Sequence, residues 1–516
     1  MIRAVHRASR RDLRALVAIE GVARSNDPPA LETPPMTAVH LAVDLGAESG
    51  RVIAGRVEGG RVTLEELHRF PNGVHHFADG HGHSLRWDAV RLWDDIQHGL
   101  SLAAKAFGGD VASVGVDTWG VDFALFSASR ELLGLPVCHR DERFAGACER
   151  AFETVAKADI YAATGVQFMD INSLMQLVAT RERSPELLAA AERFLMMPDV
   201  FHWLLSGREA VEFTNGTTSQ LIDATTRTWA GGMIERFGLP AAVFPEVVEP
   251  GTDLGPLRPG VAKRCGLSEA VRVVAPATHD TASAVVAVPT KSTGRSDWAY
   301  ISSGTWSLIG VETASPVLTA EAMAGNLTNE GGVDGTTRLL KNVMGLWLVQ
   351  GLKASAERAG RPADYADLTE AARAAGPAGG TFDCDDRRLM APDDMADAIR
   401  AVCADAGLPR PETDGQLVRV ALESLAAKYA EVLTSLEAAT GASVSVMHVV
   451  GGGSQSTLLN ELTAAACGVP VLAGPVEATA LGNVLVQART AGTVRDLAHA
   501  REIVRASTDV ERFGAT

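Results

Sequence analysis

The chain has 516 residues, of which 46% are hydrophobic and 21% are charged, so it is long enough for two or three globular domains and too apolar to be disordered. Its 63 acidic and 47 basic side chains give a formal net charge of -16, which argues against nucleic acid as a partner. The six cysteines form no CxxC pair, which argues against a zinc site or a disulfide framework and favours a reducing cytoplasm.

Two further features concern membranes and the start of the chain. No apolar run reaches the ~18 residues that a membrane span requires, and no secretory signal opens the sequence, so we expect no membrane partner. Residues 1–37 are arginine-rich and end in the loop-like NDPPALETPP. We expect a disordered N-terminal extension outside the fold. A transit peptide is one alternative, although Asp12 and Glu20 are unusual in such peptides. A start codon assigned too early is another, because Met36 directly precedes the first predicted strand.

From residue 38 the pattern predicts strands followed by helices. AVHLAVDL (38–45) and GRVIAGRVE (50–58) are β-branched runs that predict a hairpin around the turn GAES, with Asp44 at its tip. The strand-like RVTLEELHRF follows, and then a helix is predicted from Asp88 to about Phe107. These elements predict that the chain begins its fold as a sheet covered by a helix.

The next segment is predicted to be one long strand followed by helices. ASVGVDTWGVDFALF (112–126) is an apolar run typical of a buried strand. A helix-rich region then extends over about 143–245. Together with the first hairpin, these elements predict an α/β domain over 38–250.

A similar order of elements begins again after residue 250. VRVVAP (271–276) predicts a strand, and WAYISSGTWSLIGVET (298–313) predicts a hairpin around SSGT. Alanine-rich helices are predicted at about 351–375 and 415–440. These elements predict a second α/β domain over 251–516.

The last part of the chain is predicted to contain a strand, a glycine turn and a helix in VSVMHVVGGGSQSTLLNELTAAACG (444–468), and then a closing strand in VPVLAGP. Both predicted domains thus begin with a strand–turn–strand hairpin. The repetition predicts a duplicated fold that closes on a cleft.

Three glycine-bearing turns are candidates for phosphate binding. In DLGAESGR (44–51) a tight turn lets backbone N–H groups approach an anion, and SSGTW (302–306) repeats the arrangement with hydroxyls added. VVGGGSQS (449–456) links a strand to a helix, where phosphates often bind. Glycines that serve only turn geometry or helix packing are the alternative. No segment matches the P-loop GxxxxGK[ST] or a dinucleotide GxGxxG followed by an acid, so a different nucleotide fold is indicated.

Asp280 is the candidate catalytic residue. It stands in VRVVAPATHDTASAV, an otherwise small and apolar neighbourhood, where a carboxylate requires a partner or a function. The structural alternative is that Asp280 caps a helix beginning at Thr281.

Other polar residues have open interpretations. Asp117 and Asp122 flank Trp119 and either bind hydroxyls or form structural ion pairs; Trp119 either stacks on a ligand or packs in the core. The cluster HHFADGHGH (75–83) has four histidines, but its glycines and the lack of acid or cysteine partners favour a solvated loop over a metal site.

The motifs taken together carry a resemblance. They are VDLGAESGRV, GVDTWGVDFAL, GLPVCHRDER, VEFTNGTTSQL, THDTASAV, YISSGTWSL, NLTNEGG, LLKNVMGLWLVQ, HVVGGGSQSTLLN and GPVEATALGN. In this order, from about Val39 to the end, they resemble the FGGY family of carbohydrate kinases. The resemblance implies two actin-like ATPase (ribonuclease H-like) domains with a nucleotide and sugar cleft between them.

The resemblance also implies an activity. It is the ATP-dependent phosphorylation of L-rhamnulose on its 1-hydroxyl in rhamnose catabolism, with Mg²⁺ as cofactor. A kinase for another ketose or polyol, such as L-fuculose, xylulose or glycerol, is the alternative. An ATPase that uses no sugar and a sugar-sensing protein that has lost activity are further alternatives. Retention of Asp280 and both hairpin turns argues against the sensor. We expect a monomer or homodimer.

Site residues follow from the matching motif positions. The ATP contacts implied by the resemblance are Ala47, Glu48, Ser49, Gly50, Arg51, Thr305, Gln350 and Gly452. The implied sugar contacts are Gly120, His279, Asp280 and Thr281, and Asn342 is implied as a contact to sugar or nucleotide. Glu48 departs from the family pattern, which has a small hydroxyl residue there, so its charge has to point outward or be offset by the metal.

Within this resemblance Asp280 is the general base. A carboxylate within about 2.6–3.2 Å of the sugar hydroxyl can accept its proton as the O–P bond forms. Asp44 is the candidate ligand for Mg²⁺, through water, since Mg²⁺ keeps several of its waters.

Overall fold

The computed structural model describes residues 38–361, 364–390 and 392–514. The predicted N-terminal extension lies outside the described residues. The strands are β1 Val39–Leu45, β2 Ser49–Glu58, β3 Arg61–Pro71, β4 Val74–Asp79, β5 Gly82–Trp87, β6 Val111–Thr118, β7 Phe123–Phe126, β8 Arg193–Met196, β9 Ala210–Glu212, β10 Glu246–Val248, β11 Thr252–Pro256, β12 Arg272–Ala275, β13 Ala299–Ser303, β14 Trp306–Thr313, β15 Thr328–Gly331, β16 Thr337–Met344, β17 Met447–Val450, β18 Val471–Ala473 and β19 Glu511–Phe513.

The α-helices are distributed along the described residues. They are α1 Ala89–Phe107, α2 Ala147–Thr154, α3 Lys157–Thr164, α4 Ser173–Arg183, α5 Pro185–Ala190, α6 Met197–Ser206, α7 Phe213–Gly216, α8 Gly231–Arg236, α9 Pro259–Cys265, α10 Asp280–Val286, α11 Ala320–Ala324, α12 Trp347–Arg358, α13 Tyr365–Ala375, α14 Met395–Asp405, α15 Asp414–Thr440, α16 Thr457–Cys467, α17 Ala478–Thr490 and α18 Leu497–Ser507.

The first large sheet has the strand order β11-β12-β6-β1-β2-β3. The predicted hairpin of β1 and β2 is confirmed, and β6 lies parallel to β1 on its other side. Every residue of β1 is buried, as its largely apolar sequence predicts for a strand covered on both faces. In this register Asp44 pairs with Arg51 on one side and with Asp117 on the other, so all three lie at one end of the sheet.

The first sheet takes in two strands beyond residue 250, where the sequence suggested that the second domain begins. β11 and β12 pair with each other, and β12 continues the sheet next to β6. The chain therefore completes its first sheet before it reaches Asp280, at the start of α10.

The second large sheet has the order β15-β16-β14-β13-β17-β18-β19. The predicted hairpin of β13 and β14 is confirmed, and β17 lies parallel to β13. The predicted strand, glycine turn and helix are also confirmed as β17, a 3₁₀ turn over Gly452–Gln455, and α16.

Three predictions of local structure were wrong. The single strand over 112–126 is two strands, β6 and β7, separated by a turn in which Val121 adopts a left-handed φ of 67°. The helix over 351–375 is two helices, α12 and α13. The solvated loop HHFADGHGH is the hairpin of β4 and β5, whose turn is made possible by Gly82 with a φ of 117°.

Helix α17 forms one of the packing regions that join the halves of the protein. Helix α17 packs against α10 and also against β1, β2 and β6 of the first sheet. The contact with α10 is so close that a Cβ on Gly482 would lie 1.8 Å from the carbonyl oxygen of Ser283. This glycine therefore allows the helix that begins at Asp280 to lie directly on α17.

Another joining region lies beside β15. The backbone N–H of Asn329 donates to the carbonyl of Gly165 at 2.9 Å, and the backbone N–H of Phe168 donates to the side chain of Asn326 at 2.9 Å. The hydroxyl of Tyr161 also donates to the carbonyl of Leu327 at 3.0 Å. Residues 161–168 are thereby fastened to the second half of the chain.

Candidate active site

A cleft between the two sheets encloses a cavity of about 390 Å³. Its walls come from both halves: the turn after β1, the turn after β6, the start of α10, the turn between β13 and β14, and the glycine turn after β17. All three glycine-bearing turns and the candidate base therefore meet in one place, as the sequence predicts.

Asp280 is the first residue of α10 and faces this cavity. The loop before it is fixed because Thr118, at the end of β6, donates its backbone N–H to the carbonyl of Thr278 at 2.9 Å. The backbone N–H of Thr281 donates to Asp280 Oδ1 at 2.5 Å, and solvent reaches 32% of the Asp280 side chain. His279, not Asp280, is at the N-cap position of the helix.

The pKa of the Asp280 carboxyl is raised above its ordinary value. Burial is the largest cause, and the negative charge of Asp44 raises the pKa further. His279 and the N–H of Thr281 act in the opposite direction without cancelling these effects. A carboxylate made more basic in this way is a better proton acceptor than a free aspartate.

His279 connects Asp280 to a buried ion pair. Its Nε2 lies 3.4 Å from Asp280 Oδ1, and its Nδ1 lies 3.0 Å from Glu330 Oε2. The guanidinium of Arg338 lies 3.0 Å from the same oxygen of Glu330 and 3.3 Å from Nδ1 of His279. Burial raises the pKa of Glu330, but Arg338 and His279 outweigh it and hold that pKa below its usual range. Glu330 therefore stays ionised and holds the imidazole.

Asp44, Asp117 and Asp280 form a group of neighbouring carboxyls. Asp44 is paired with the guanidinium of Arg51, which is also paired with Glu477 from the second half. Asp117 is fully buried, accepts a hydrogen bond from Asn483, and keeps Oδ1 without a partner among the described residues. Burial and the charges of Asp44 and Asp280 raise the pKa of Asp117 well above its ordinary value. These three carboxyl groups outnumber the cationic side chains beside them. Oxygen ligands of this kind suit a divalent cation such as Mg²⁺.

The first turn places most of its predicted nucleotide contacts in the cavity wall. Ala47, Glu48, Ser49 and Arg51 line the cavity. Gly50 points away from it: a Cβ there would lie 2.2 Å from the ring of Phe70, so this glycine is required by packing. The carboxylate of Glu48 is 3.5 Å from the amide Nε2 of Gln350 on α12, and so one predicted contact faces the other across the cleft.

In the glycine turn after β17, two glycines are required by packing and a third lines the cavity. A Cβ on Gly453 would lie 2.0 Å from Ser303 Oγ, and one on Gly451 would lie 3.1 Å from the Ser303 carbonyl oxygen. Those two glycines are explained by the approach of β13. A Cβ on Gly452 would meet nothing within 4 Å, and this residue lines the cavity together with Thr305.

The remaining predicted sugar contacts also line the cavity. Gly120 lies in the turn after β6, where a Cβ would meet Thr218 at 3.0 Å. Asn342 is held by Gln167, whose Oε1 accepts the Asn342 backbone N–H at 2.9 Å. Thr281 follows the candidate base, and its hydroxyl lies 3.5 Å from that of Ser302.

Glu330 and His139 are cavity residues that were not assigned a role from the sequence. Glu330 lies in the quoted motif NLTNEGG and His139 in GLPVCHRDER, but neither motif shows which partner its polar residue meets. The partners are far away in the chain: His279 and Arg338 for Glu330, and Asp122 for His139.

Comparison with known proteins agrees with this architecture. Residues 39–287 match the N-terminal domain of the FGGY family of carbohydrate kinases, and residues 299–491 match its C-terminal domain. The chain belongs to this family and is a carbohydrate kinase, as the sequence predicts. A rhamnulokinase of Bacteroides thetaiotaomicron is 43% identical over 92% of this chain and 95% of its own length. One of Oceanobacillus iheyensis is 38% identical over 93% of this chain and 98% of its own length.

Solved structures of other sugar kinases share the fold. A ligand-bound xylulose kinase from Lactobacillus acidophilus superposes with a TM-score of 0.74 at 16% identity, covering 90% of this chain and 92% of its own. Plasmodium falciparum glycerol kinase with ADP gives 0.72 at 15% identity, covering 92% and 94%. The predicted fold class of two actin-like ATPase (ribonuclease H-like) domains is confirmed. Among the described residues, no helix has the length and apolar character needed to cross a membrane.

Proposed function

We propose that this kinase transfers the γ-phosphoryl group of ATP to the 1-hydroxyl of L-rhamnulose, giving L-rhamnulose 1-phosphate and ADP in rhamnose catabolism. The similarity to rhamnulokinases over nearly the whole chain supports this substrate. The observation that carries the chemistry is the position of Asp280, at the start of a helix and facing a cavity that both halves line.

In the proposed reaction Asp280 accepts the proton of the sugar 1-hydroxyl. The oxygen of that hydroxyl forms a bond to the γ-phosphorus, and the bond between the γ-phosphorus and the bridging oxygen of ADP breaks. The electron pair of the broken bond leaves with ADP. Proton removal is late in such loose transition states, so positioning and charge neutralisation supply most of the rate.

The three turns are proposed to bind the nucleotide. Ala47, Ser49 and Arg51 from the first turn, Thr305 from the second, and Gly452 from the third all lie on the cavity wall. Backbone N–H groups in such turns bind phosphate oxygens without a charged side chain. Gly50 supports the first turn through packing, and Gln350 faces Glu48 from the opposite side.

Mg²⁺ is the proposed cofactor, and its charge would neutralise the phosphate oxygens. Asp44 is the proposed ligand, through water, because it lies at the end of β1 beside the first turn and lines the cavity. Asp117 lies next to it in the sheet and has an unsatisfied carboxylate oxygen. Arg51 would turn from Asp44 toward phosphate when the nucleotide binds.

We also propose a cellular compartment, an oligomeric state and a domain boundary for the enzyme. The six cysteines are free thiols in the structure, which suits a reducing cytoplasm. We propose a monomer or homodimer. Because β11 and β12 belong to the first sheet, we now place the division between the two domains after residue 275 instead of at 250.

The test is a panel of ketoses and polyols with MgATP, scored by kcat/KM in an assay coupled to ADP release. L-rhamnulose is expected to be the best substrate, above L-fuculose, xylulose and glycerol. If another sugar exceeds it by tenfold, the substrate is wrong while the kinase stands. If ATP is hydrolysed at the same rate without any sugar, the proposed reaction is wrong.

A further inference from the structure

Asp122 is a buried carboxylate that organises one wall of the cavity. It is fully buried in the turn after β6. Its Oδ2 accepts hydrogen bonds from the indole N–H of Trp87 at 2.6 Å and of Trp119 at 2.9 Å. The same oxygen lies 2.8 Å from Nδ1 of His139, and Oδ1 accepts an amide N–H of Gln176 at 3.0 Å. Four ring and amide nitrogens thus converge on one carboxylate.

The carboxylate fixes the protonation of His139. Asp122 can only accept, so the His139 nitrogen that faces it must carry a proton. Nε2 is then the ring nitrogen that remains for a ligand, and the imidazole lines the cavity. A carboxylate that fixes the tautomer and orientation of a histidine in this way is a recurrent device for presenting the second nitrogen.

The backbone around His139 is fixed as well. The N–H of Cys138 donates to the carbonyl of Leu85, and the N–H of Trp87 donates to the carbonyl of Pro136, both at 2.9 Å. The N–H of Asp141 closes the turn onto the carbonyl of Cys138 at 2.9 Å. This segment is therefore held against β5, and His139 has little freedom to leave the cavity wall.

Trp119 completes the wall beside His139. Its ring centroid lies 4.2 Å from that of Trp87, which is fully buried, and its own side faces the cavity next to Gly120. Trp119 and His139 are each 7% exposed, so the wall presents a small part of an indole ring and of an imidazole to the cavity. Apolar ring faces and a directed hydrogen-bond partner are what recognise a sugar, whose C–H and O–H groups alternate.

A metal ion is a weaker interpretation of the same residues. Asp122, Cys138 and His139 each offer a ligand atom within 4.8 Å of the others. However, both oxygens of Asp122 already accept N–H groups, and burial raises the pKa of the Cys138 thiol to about 12, with Asp122 adding to the effect. A protonated thiol is a poor metal ligand.

We infer that His139 is a specificity-determining residue, whose Nε2 hydrogen-bonds a non-reacting hydroxyl of the ketose while Trp119 packs on its carbon face, and that Asp122 positions both. This inference rests on the proposed function, because it concerns the sugar of the same reaction. It adds His139 and Trp119 to the sugar contacts implied for Gly120, His279 and Thr281 in the same cavity.

Two substitutions of His139 test its ring nitrogens Nδ1 and Nε2 separately. His139→Asn keeps an N–H for Asp122 but removes the group at the Nε2 position, whereas His139→Gln keeps a polar group near that position. His139→Asn is expected to raise the KM for the ketose by about tenfold or more and to leave the KM for ATP within about twofold, because only a sugar hydroxyl loses its partner. His139→Gln should lie between His139→Asn and wild type. His83→Gln, on the exposed β5, is the control and should match wild type.

Deoxyketoses provide the decisive measurement. The ratio of wild-type to His139→Asn kcat/KM is measured for L-rhamnulose and for its 3-, 4- and 5-deoxy forms. The ratio should fall to about one for the single analogue that lacks the hydroxyl bound by Nε2. An equal ratio for every sugar together with a lowered melting temperature, or a KM for the ketose within twofold of wild type, overturns the inference. A wild-type enzyme that phosphorylates no ketose on the panel instead refutes the proposed function.

Discussion

The carboxylate of Glu330 lies 3.0 Å from Nδ1 of His279, and the other nitrogen of this imidazole faces the candidate base Asp280. Glu330 and Arg338 are both buried and form an ion pair. His279, Glu330 and Arg338 therefore form a chain of contacts that ends at the candidate base. Only His279 is near Asp280 in the sequence.

Substitutions in the Glu330–Arg338 ion pair measure its contribution to stability separately from its contribution to catalysis. Glu330→Gln is expected to lower the free energy of unfolding by about 3–5 kcal/mol, because it leaves the Arg338 charge buried without a partner. The double variant Glu330→Gln/Arg338→Met should recover most of this loss. Its kcat should still be about tenfold below wild type, because the carboxylate of Glu330 no longer holds Nδ1 of His279. Urea unfolding and steady-state kinetics measure the two effects.

The matched control for that buried pair is an ion pair on the surface. Glu461→Gln removes the ion pair with Arg373, whose side chains are 46% and 34% exposed, and is expected to cost less than about 1 kcal/mol. A double variant at 330 and 338 with wild-type kcat would show that Glu330 serves only to neutralise Arg338.

Asp280→Asn is expected to lower kcat by about 10²–10⁴, because the sugar hydroxyl loses its proton acceptor. ATP affinity, measured by calorimetry, should stay within about twofold, since the amide keeps the shape of the side chain. Asp110→Asn, on the surface after α1, is the control. A loss of less than about fivefold would remove Asp280 from the role of base.

Glu48→Ser is expected to lower the KM for ATP by about two- to fivefold at low salt, with kcat unchanged. Glu48 is exposed and lines the cavity, so its negative charge lies on the side where the triphosphate is proposed to bind. The gain should shrink at high salt because the charge is screened. Glu58→Ser, at the far end of β2, should change neither parameter. A raised KM would instead indicate that Glu48 contacts the nucleotide favourably through Gln350.

Three buried histidines predict a loss of stability in mild acid. Burial lowers the pKa of His40 and His448 to about 4 and that of His202 to about 3. Below the ordinary value of about 6.5 the unfolded chain binds protons that the folded chain does not, so stability falls as the pH drops from 6.5 toward 4. Each histidine contributes about 1.4 kcal/mol per pH unit in that window.

The carboxyls of Asp117 and Asp199 have raised pKa values and act in the opposite direction, so a comparison of variants is needed. His448→Gln should reduce the dependence of the unfolding free energy on pH between 6.5 and 5, whereas His83→Gln on the surface should leave it unchanged. Equal slopes for His448→Gln and wild type would contradict the assignment of a neutral His448.

The hairpins whose turns line the cavity were predictable because each is a local pattern: a β-branched run, a glycine turn, and another run. The turn after β6 was not, since the left-handed Val121 is held by a hydrogen bond from its N–H to Thr218, which lies 97 residues away. The roles of Glu330 and His139 could not be predicted for the same reason. Those roles depend on partners such as Arg338 and Asp122, which only the folded chain brings close to them.

The attachment of residues 161–168 to β15 affects where the cleft opens. The carbonyl of Gly165 accepts the N–H of Asn329, and the N–H of Phe168 donates to Asn326. These bonds join the two halves beside Gln167, which holds Asn342. The first turn and α12 meet at Glu48 and Gln350 through one long contact of 3.5 Å. We therefore expect the cleft to open more readily between the first turn and α12 than between residues 161–168 and β15.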